Sequence, residues 1–492
     1  MRFMWMYGCF CLLLVSADCQ DSEQSLSDST SRVGDEKADA QGAVSRPATQ
    51  EVPDLWTRSK GVGWPGFLGP GGNGKSPEKG ILTAWSTEGP PLVWQMRIGT
   101  SYGSPAVSRG RLFLFDRQDS RPGAAGKARL TCYEAETAKE LWRFEYPTEY
   151  VDQYGYNNGP RCGPVVDDDR VYIRGAEGML HCVSALDGQL RWKIDLVERF
   201  DVVQNFFGEG SSPVVEGDLL IVQVGGSPEG SNQQDLMRLE GNGTGVVAFD
   251  KYTGEVRYAI TNELCSYTTP VLATIDNRRW CFVFSRGGLI GFNPTNGAVD
   301  MFFPWRAKIL ESVNASNPVV VGNRVLISET YGPGSALLEV RPGAFDVVWS
   351  DEDHRRNKSL QTHWNTAIYH QGYVYGCSGR HTNNAELRCV KFDTGEVMWS
   401  TPGLGRASLM YVDGHFVCLC EYGELKLLKV NPEKYDVVAQ VVLQGEKNGP
   451  DIPGLGPPRL LEYPAWAAPI LSHGLLYLRG KTRLVCLELI AE

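Results

Sequence analysis

The chain has 492 residues, too many for one conventional core at roughly 150 residues per domain, so it requires several domains or a repeat architecture. Its composition is that of an ordinary soluble protein, 42% hydrophobic and 22% charged, and a net charge of −10 without a Lys/Arg stripe excludes nucleic acid as a partner. Fifty-five glycines and 13 tryptophans predict many turns and recurrent aromatic packing.

Residues 1–17 read as an export signal: Arg2 supplies the positive start, Phe3 to Val15 form an apolar run, and Val15-Ser16-Ala17 is a small-residue cleavage site. The run falls short of the roughly 20 residues a membrane span requires. Retention as an N-terminal anchor and lipidation of Cys19 are the alternatives, the latter opposed by Asp18 where a lipobox places Gly or Ala. Residues 18–60 are Ser-, Asp-, Gln- and Ala-rich without apolar periodicity and are expected to form a disordered linker. No later segment is apolar enough to span a membrane, so the mature chain is expected in the periplasm or outside the cell.

The linker gives way to Trp64-Pro65-Gly66-Phe67-Leu68-Gly69-Pro70, and then to Gly74-Lys75-Ser76-Pro77. Pro91-Leu92-Val93-Trp94-Gln95-Met96 follows, with the pattern of a Trp-bearing outer strand but no inner strands before it. From there the chain repeats. Each copy opens with a hairpin whose first strand is preceded by a proline, at Pro105, Pro164, Pro213, Pro270, Pro318 and Pro469, with Ala367 and Leu409 in the equivalent place. A proline there removes no ladder hydrogen bond. A second hairpin sets a small residue and a large one at a fixed offset around a tight turn, as in Cys132 and Trp142, Cys182 and Trp192, Ala248 and Tyr258, Cys389 and Trp399. Two hairpins make a four-stranded blade, and the copies predict an all-β, eight-bladed β-propeller over residues 61–492. The last copy, Trp466 to Leu489, lacks its outer strand, and residues 91–96 are expected to complete it. Closure matters because a ring of blades leaves only short, protected edges.

The segment Val390-Lys391-Phe392-Asp393-Thr394-Gly395-Glu396-Val397-Met398-Trp399 resembles the tryptophan-docking repeat of quinoproteins. Outside the dehydrogenases it is similar to PQQ-like repeat proteins, which include BamB-type propellers. The opening from Trp64 to Pro77 is similar to the start of secreted planctomycete PQQ-like proteins. This resemblance covers about residues 61–492 and implies the fold more than an activity.

In a propeller the innermost strands line a central channel, and the connections within each hairpin emerge on the face opposite those between hairpins. Here the second set carries the long segments, 117–129, 147–159, 227–242, 351–362, 379–386 and 444–462. Long loops on a rigid scaffold are where binding usually resides. Three residues before each proline position stand Tyr102, Arg161, Gly210, Tyr267, Ala315, Trp364, Arg406 and Trp466, expected to form one ring at the channel mouth. Glu209, His363 and Asn365 lie beside it. Such a ring suits a planar or anionic ligand, with aromatic faces to stack it and arginine forks to hold carboxylates. Alternatively the same side chains pair with one another and plug the channel.

The resemblance implies a test for catalysis. PQQ-dependent alcohol dehydrogenases hold their cofactor between a Trp and a vicinal disulfide, with Ca²⁺ on Glu, Asn and Asp and an Asp as base. This chain has Glu209 and Asn365 near the right level, but no adjacent cysteine pair and no ring Asp. Among its 13 cysteines, those at 132, 182, 389 and 486 share one repeat position, which fits small buried strand residues better than bridges, although a disulfide or two stays open. There is no HExxH, G-x-S-x-G or Walker A motif. The expectation is therefore a non-catalytic binding scaffold, without cofactor or metal, engaging a protein, peptide or saccharide. The alternative is a PQQ- and Ca-dependent oxidoreductase acting on an alcohol or sugar.

Overall fold

Turn chemistry and the small-residue/Trp offset explain how neighbouring blades lock together. In the computed structural model, which describes residues 49–119, 126–354, 356–445 and 459–492, the outer-strand indole of one blade hydrogen-bonds the outer turn of the next. Trp142 Nε1 donates to Ala185 O at 3.2 Å, Trp192 to Lys251 O at 3.2 Å, Trp349 to Phe392 O at 2.8 Å and Trp399 to Asn431 O at 2.9 Å. Tyr258 does the same with its hydroxyl, to Pro294 O at 2.6 Å. The ring also lies flat on the glycine of that turn. A Cβ on Gly188 would stand 2.5 Å from the Trp142 ring, and Gly188 has φ of 72°, so both space and backbone require glycine there. On the neighbouring strand a small residue faces three of these Trp side chains, Cys132 opposite Trp142, Cys182 opposite Trp192 and Cys389 opposite Trp399, whereas Trp349 faces Leu337. All ten described cysteines are buried and free, so this position holds no bridge.

The ring has eight blades of four antiparallel strands, which run in sequence order from the axis outward in blades 1 to 7. Blade 1 comprises Ala106–Ser108, Arg111–Asp119, Gly126–Glu134 and Glu140–Thr148. Blades 2 to 7 begin at Val165, Val214, Val271, Val319, Ile368 and Ser408, and blade 8 at Ile470. Most of these first strands start on the residue after the proline, where its missing N–H is not called on. Blade 8 is completed from the other end of the chain: Leu92–Arg97 pairs with Arg483–Glu488, placing Trp94 opposite Cys486. Trp94 Nε1 then donates to Ala135 O of blade 1 at 3.0 Å, which closes the ring with the same latch. The cores lie between blades, for example Phe113, Phe115 and Leu130 of blade 1 against Val171, Ile173 and Val183 of blade 2.

Three local features depart from expectation. The linker expected over 18–60 is not free at its C-terminal end. Val52 is buried between blades 1 and 2, Gln50 N donates to Asp169, Thr57 bonds Glu136, and Arg58 pairs with Glu488. Apart from Val52 these contacts are polar, so no apolar periodicity announces them; residues 18–48 lie outside the described residues, as does the signal at 1–17. The long connection expected at 117–129 is largely an extended hairpin, with only 120–125 outside the described residues. A single helical turn, Leu196–Phe200, follows blade 2, capped by the Asp195 carboxylate accepting from Val197 and Glu198 N–H. Among the described residues no helix is long and apolar enough to cross a membrane.

Candidate functional site

The stretch from Trp64 to Pro77 is a strap across the innermost strands, on the short-turn side of the ring. Trp64 exchanges backbone hydrogen bonds with Val107 of blade 1, at 2.7 and 2.8 Å, and Pro65 O accepts from Val166 of blade 2. Leu68 takes the left-handed conformation at φ of 62°, and Gly69 packs so closely on the Trp64 indole that a Cβ would lie 2.8 Å from it. Lys75–Ser76 then adds a fifth, parallel strand to blade 7, opposite Tyr411 and Val412. Glu78 fastens the far end by accepting from Val62, His473 and Gly474 N–H. Phe67 and Leu68 thereby form part of the central cavity wall from below, and the channel is a pocket floored by the chain's own N-terminal region.

All eight positions of the expected ring, Tyr102, Arg161, Gly210, Tyr267, Ala315, Trp364, Arg406 and Trp466, line this one cavity of about 200 Å³. Gly210 and Ala315 leave the space that the six larger side chains surround; a Cβ on Gly210 would lie 2.3 Å from Tyr267. His363 and Asn365 also line it, whereas Glu209 does not. Glu209 is buried in an ion pair with Arg174, equally buried, and serves the wall from behind. The aromatic rings touch in series: Tyr102 to Trp466 at 4.9 Å between centroids, Trp466 to Trp364 at 4.5 Å, Trp364 to His363 at 4.5 Å. Tyr156 and Phe207, from the long connections into blades 2 and 3, complete the mouth.

The two arginines are not open forks. Arg161 pairs with buried Asp152 and donates further to Phe207 O and Asn157 Oδ1. Arg406 lies between the faces of Trp364 and Trp466, 4.6 and 4.9 Å from their centroids, and Glu421 grips its Nε and Nη2 at 2.9 and 2.8 Å. Glu421 also accepts from Arg406 N and from Trp466 Nε1. Desolvation works against its charge, but the hydrogen bonds from Arg406 and Trp466 hold its carboxyl below the usual range. The expected arginine forks for a carboxylate are therefore already filled from within, by two acids in non-repeating positions. What faces the cavity is mainly aromatic surface.

His363 completes the electrostatics. Its Nε2 is 3.0 Å from the Tyr331 hydroxyl, its Nδ1 has no partner among the described residues, and burial, with the charges of Arg406 and Arg380, pushes its pKa down to about 3. A base in that range is far from neutral working pH. His181, buried against Tyr146, is pushed down to about 4. Both are neutral in the folded state, while the unfolded chain takes up their protons below its ordinary value of 6.5. Stability from these residues is complete above 6.5 and is lost as pH falls towards 4 and 3, at roughly 1.4 kcal/mol per unit for each. Urea midpoints at pH 7 and pH 5 check this: the drop between them should shrink in His181→Phe, and an unchanged drop would refute the assignment.

The donor set for PQQ and Ca²⁺ does not fit. Glu209 is held by Arg174, and Asn365 donates to Ala407 O and accepts from His363 N. No two cysteines are adjacent. Among the described residues no cluster of three or more His, Cys, Asp or Glu could hold a metal.

Trp-latched, four-stranded blades closed by an N-terminal strand define the chain as a PQQ-like repeat β-propeller. Residues 126–401 match the family described as outer membrane protein assembly factor BamB, and the chain belongs to that family. BamB of Shewanella oneidensis is 23% identical over 196 residues, 36% of this chain and 45% of that protein, so the chain spans under half of the curated relative it matches. BamB from Moraxella catarrhalis superposes with a TM-score of 0.51 at 14% identity, covering 82% of this chain and 98% of that one. Quinohemoprotein alcohol dehydrogenase from Comamonas testosteroni gives 0.56 at 10% identity, covering 86% and 80%. Likeness at this level shows the fold alone.

Proposed function

We propose that this chain is an exported, non-catalytic binding scaffold that engages a protein, peptide or saccharide through its long-loop face and pocket mouth. The observation that carries the reading is the floored aromatic pocket whose arginines are neutralised internally and whose histidine has lost its basicity. Such a site can hold an apolar or planar group but offers no group poised for proton transfer. The family's description as an assembly factor is in keeping with partner binding. Gln50 N donates to Asp169, on the short-turn face opposite the mouth. The test is to incubate the full chain with PQQ and Ca²⁺ and measure dye reduction with simple alcohols. No reduction above buffer is expected; saturable reduction would replace this reading with an oxidoreductase acting on an alcohol or sugar.

A further inference from the structure

The pocket narrows what a partner can place in it. At about 200 Å³ it is smaller than the roughly 300–1,000 Å³ of typical small-molecule sites, and it has room for about one ring. Three of its lower hydroxyls bond the protein itself: Ser104 Oγ donates to Ala468 O at 3.0 Å, Ser408 Oγ to Trp466 O at 3.2 Å, and Thr366 Oγ1 accepts from Asn317 N at 3.1 Å. A sugar ring needs several donors and acceptors along its edges, and three of the hydroxyls that could supply them already bond the protein. An aromatic guest needs only the offset and edge-to-face contacts that the walls already make with one another.

The rim says what carries that guest. Tyr154 and Tyr156 keep 52% and 55% of their surface exposed. They are linked to the pocket through ring contacts, Tyr156 to Trp466 at 6.1 Å and to Phe207 at 5.8 Å, and Tyr154 to Phe207 at 5.4 Å. Tyr463 extends the same arc on the other side of Trp466, at 5.9 Å. Exposed aromatic surface continuous with a pocket is what a polypeptide covers, since scattered apolar residues need no such explanation. The opposite sector carries two arginines among the carboxylates Glu263, Glu311 and Glu329. Arg380 lies 4.4 Å over the Tyr331 ring, and Arg306 reaches only Met237 Sδ, at 3.8 Å; among the described residues neither has an ion pair. In a chain of net charge −10, unpaired arginines beside an aromatic mouth are complementary to acidic groups.

We infer that the mouth takes an aromatic side chain from an acidic stretch of a partner polypeptide, with the ring in the pocket and flanking carboxylates on Arg306 and Arg380. This rests on the binding-scaffold reading and specifies its partner. The probe is the peptide acetyl-Asp-Glu-Trp-Glu-Asp-amide, titrated into the full chain by calorimetry beside two controls, one with Ala for Trp and one with Lys for every acid. Tenfold or greater weakening is expected for both controls. Filling the cavity by Ala315→Phe should weaken the acidic peptide at least tenfold, as should removing a rim ring by Tyr156→Ala, a surface change that keeps the measurement valid if the filled variant misfolds. The double charge reversal Arg306→Glu with Arg380→Glu should weaken the acidic peptide and strengthen the lysine one. Equal binding of the Ala peptide, or no binding of any peptide, overturns the inference. Saturable PQQ-dependent dye reduction instead overturns the scaffold reading beneath it, so the two failures are distinguishable.

Discussion

Replacing Glu421 by alanine should both destabilise the propeller and change what its pocket binds. The Glu421 carboxylate is fully buried and accepts from Arg406 N, Nε and Nη2 and from Trp466 Nε1. Its removal strands a guanidinium between two indoles without a counter-charge. Breaking a buried pair from one side costs about 3–5 kcal/mol, and the lower figure is expected because Arg406 retains the open cavity on one side. Glu421→Gln keeps the shape and an acceptor and should cost less. The freed guanidinium should then receive an anion from solution: Glu421→Ala is expected to bind benzoate measurably where the parent does not. Urea midpoints and benzoate titration check the two halves separately. A variant as stable as the parent would show that the pair contributes nothing, and absent benzoate binding would show that Arg406 collapses onto another partner such as the Arg380 carbonyl.

The largest effect is expected at the ring closure. Substituting Leu92–Arg97 with a Gly-Ser stretch of equal length removes the outer strand of blade 8 and the Trp94 latch to Ala135. The Arg483–Glu488 strand then becomes an exposed edge, and the core spanning blades 7, 8 and 1 opens to water. Loss of cooperative unfolding and aggregation on size exclusion are expected. Trp94→Ala alone keeps the strand and should cost about 3 kcal/mol, at the low end for a Trp truncation because the indole is half-buried. An unchanged melting temperature in the Gly-Ser variant would mean that the ring does not depend on this seam.

Much of this architecture is legible in the repeat itself. The proline starts, the turn glycines and the small-residue/Trp offset recur because each blade solves the same packing problem: an indole must lie flat on a glycine and find a carbonyl one blade away. The unpaired strand at residues 91–96 is legible for the same reason, as a copy of one part of the repeat without the rest. Register also gathers the eight ring positions, since equivalent residues just before the innermost strands face one axis.

Where the repeat stops, legibility stops with it. Asp152 and Glu421 lie outside the recurring positions, and nothing in their local sequence tells that each is folded against a ring arginine. The arginines alone therefore suggest an anion site, and the structure cancels that charge. Glu209 stands at the right height by count, yet its carboxylate turns away to Arg174. Phe67 and Leu68 give no sign of being a floor, because a strap held by backbone bonds and one left-handed residue has no periodicity to detect. Spacing alone thus specifies the ring and the identity of the side chains that face its axis, because the same blade geometry is repeated eight times around it. The floor of the channel and the pairing of its charges follow only from the folded arrangement, because those contacts join segments that no repeat relates.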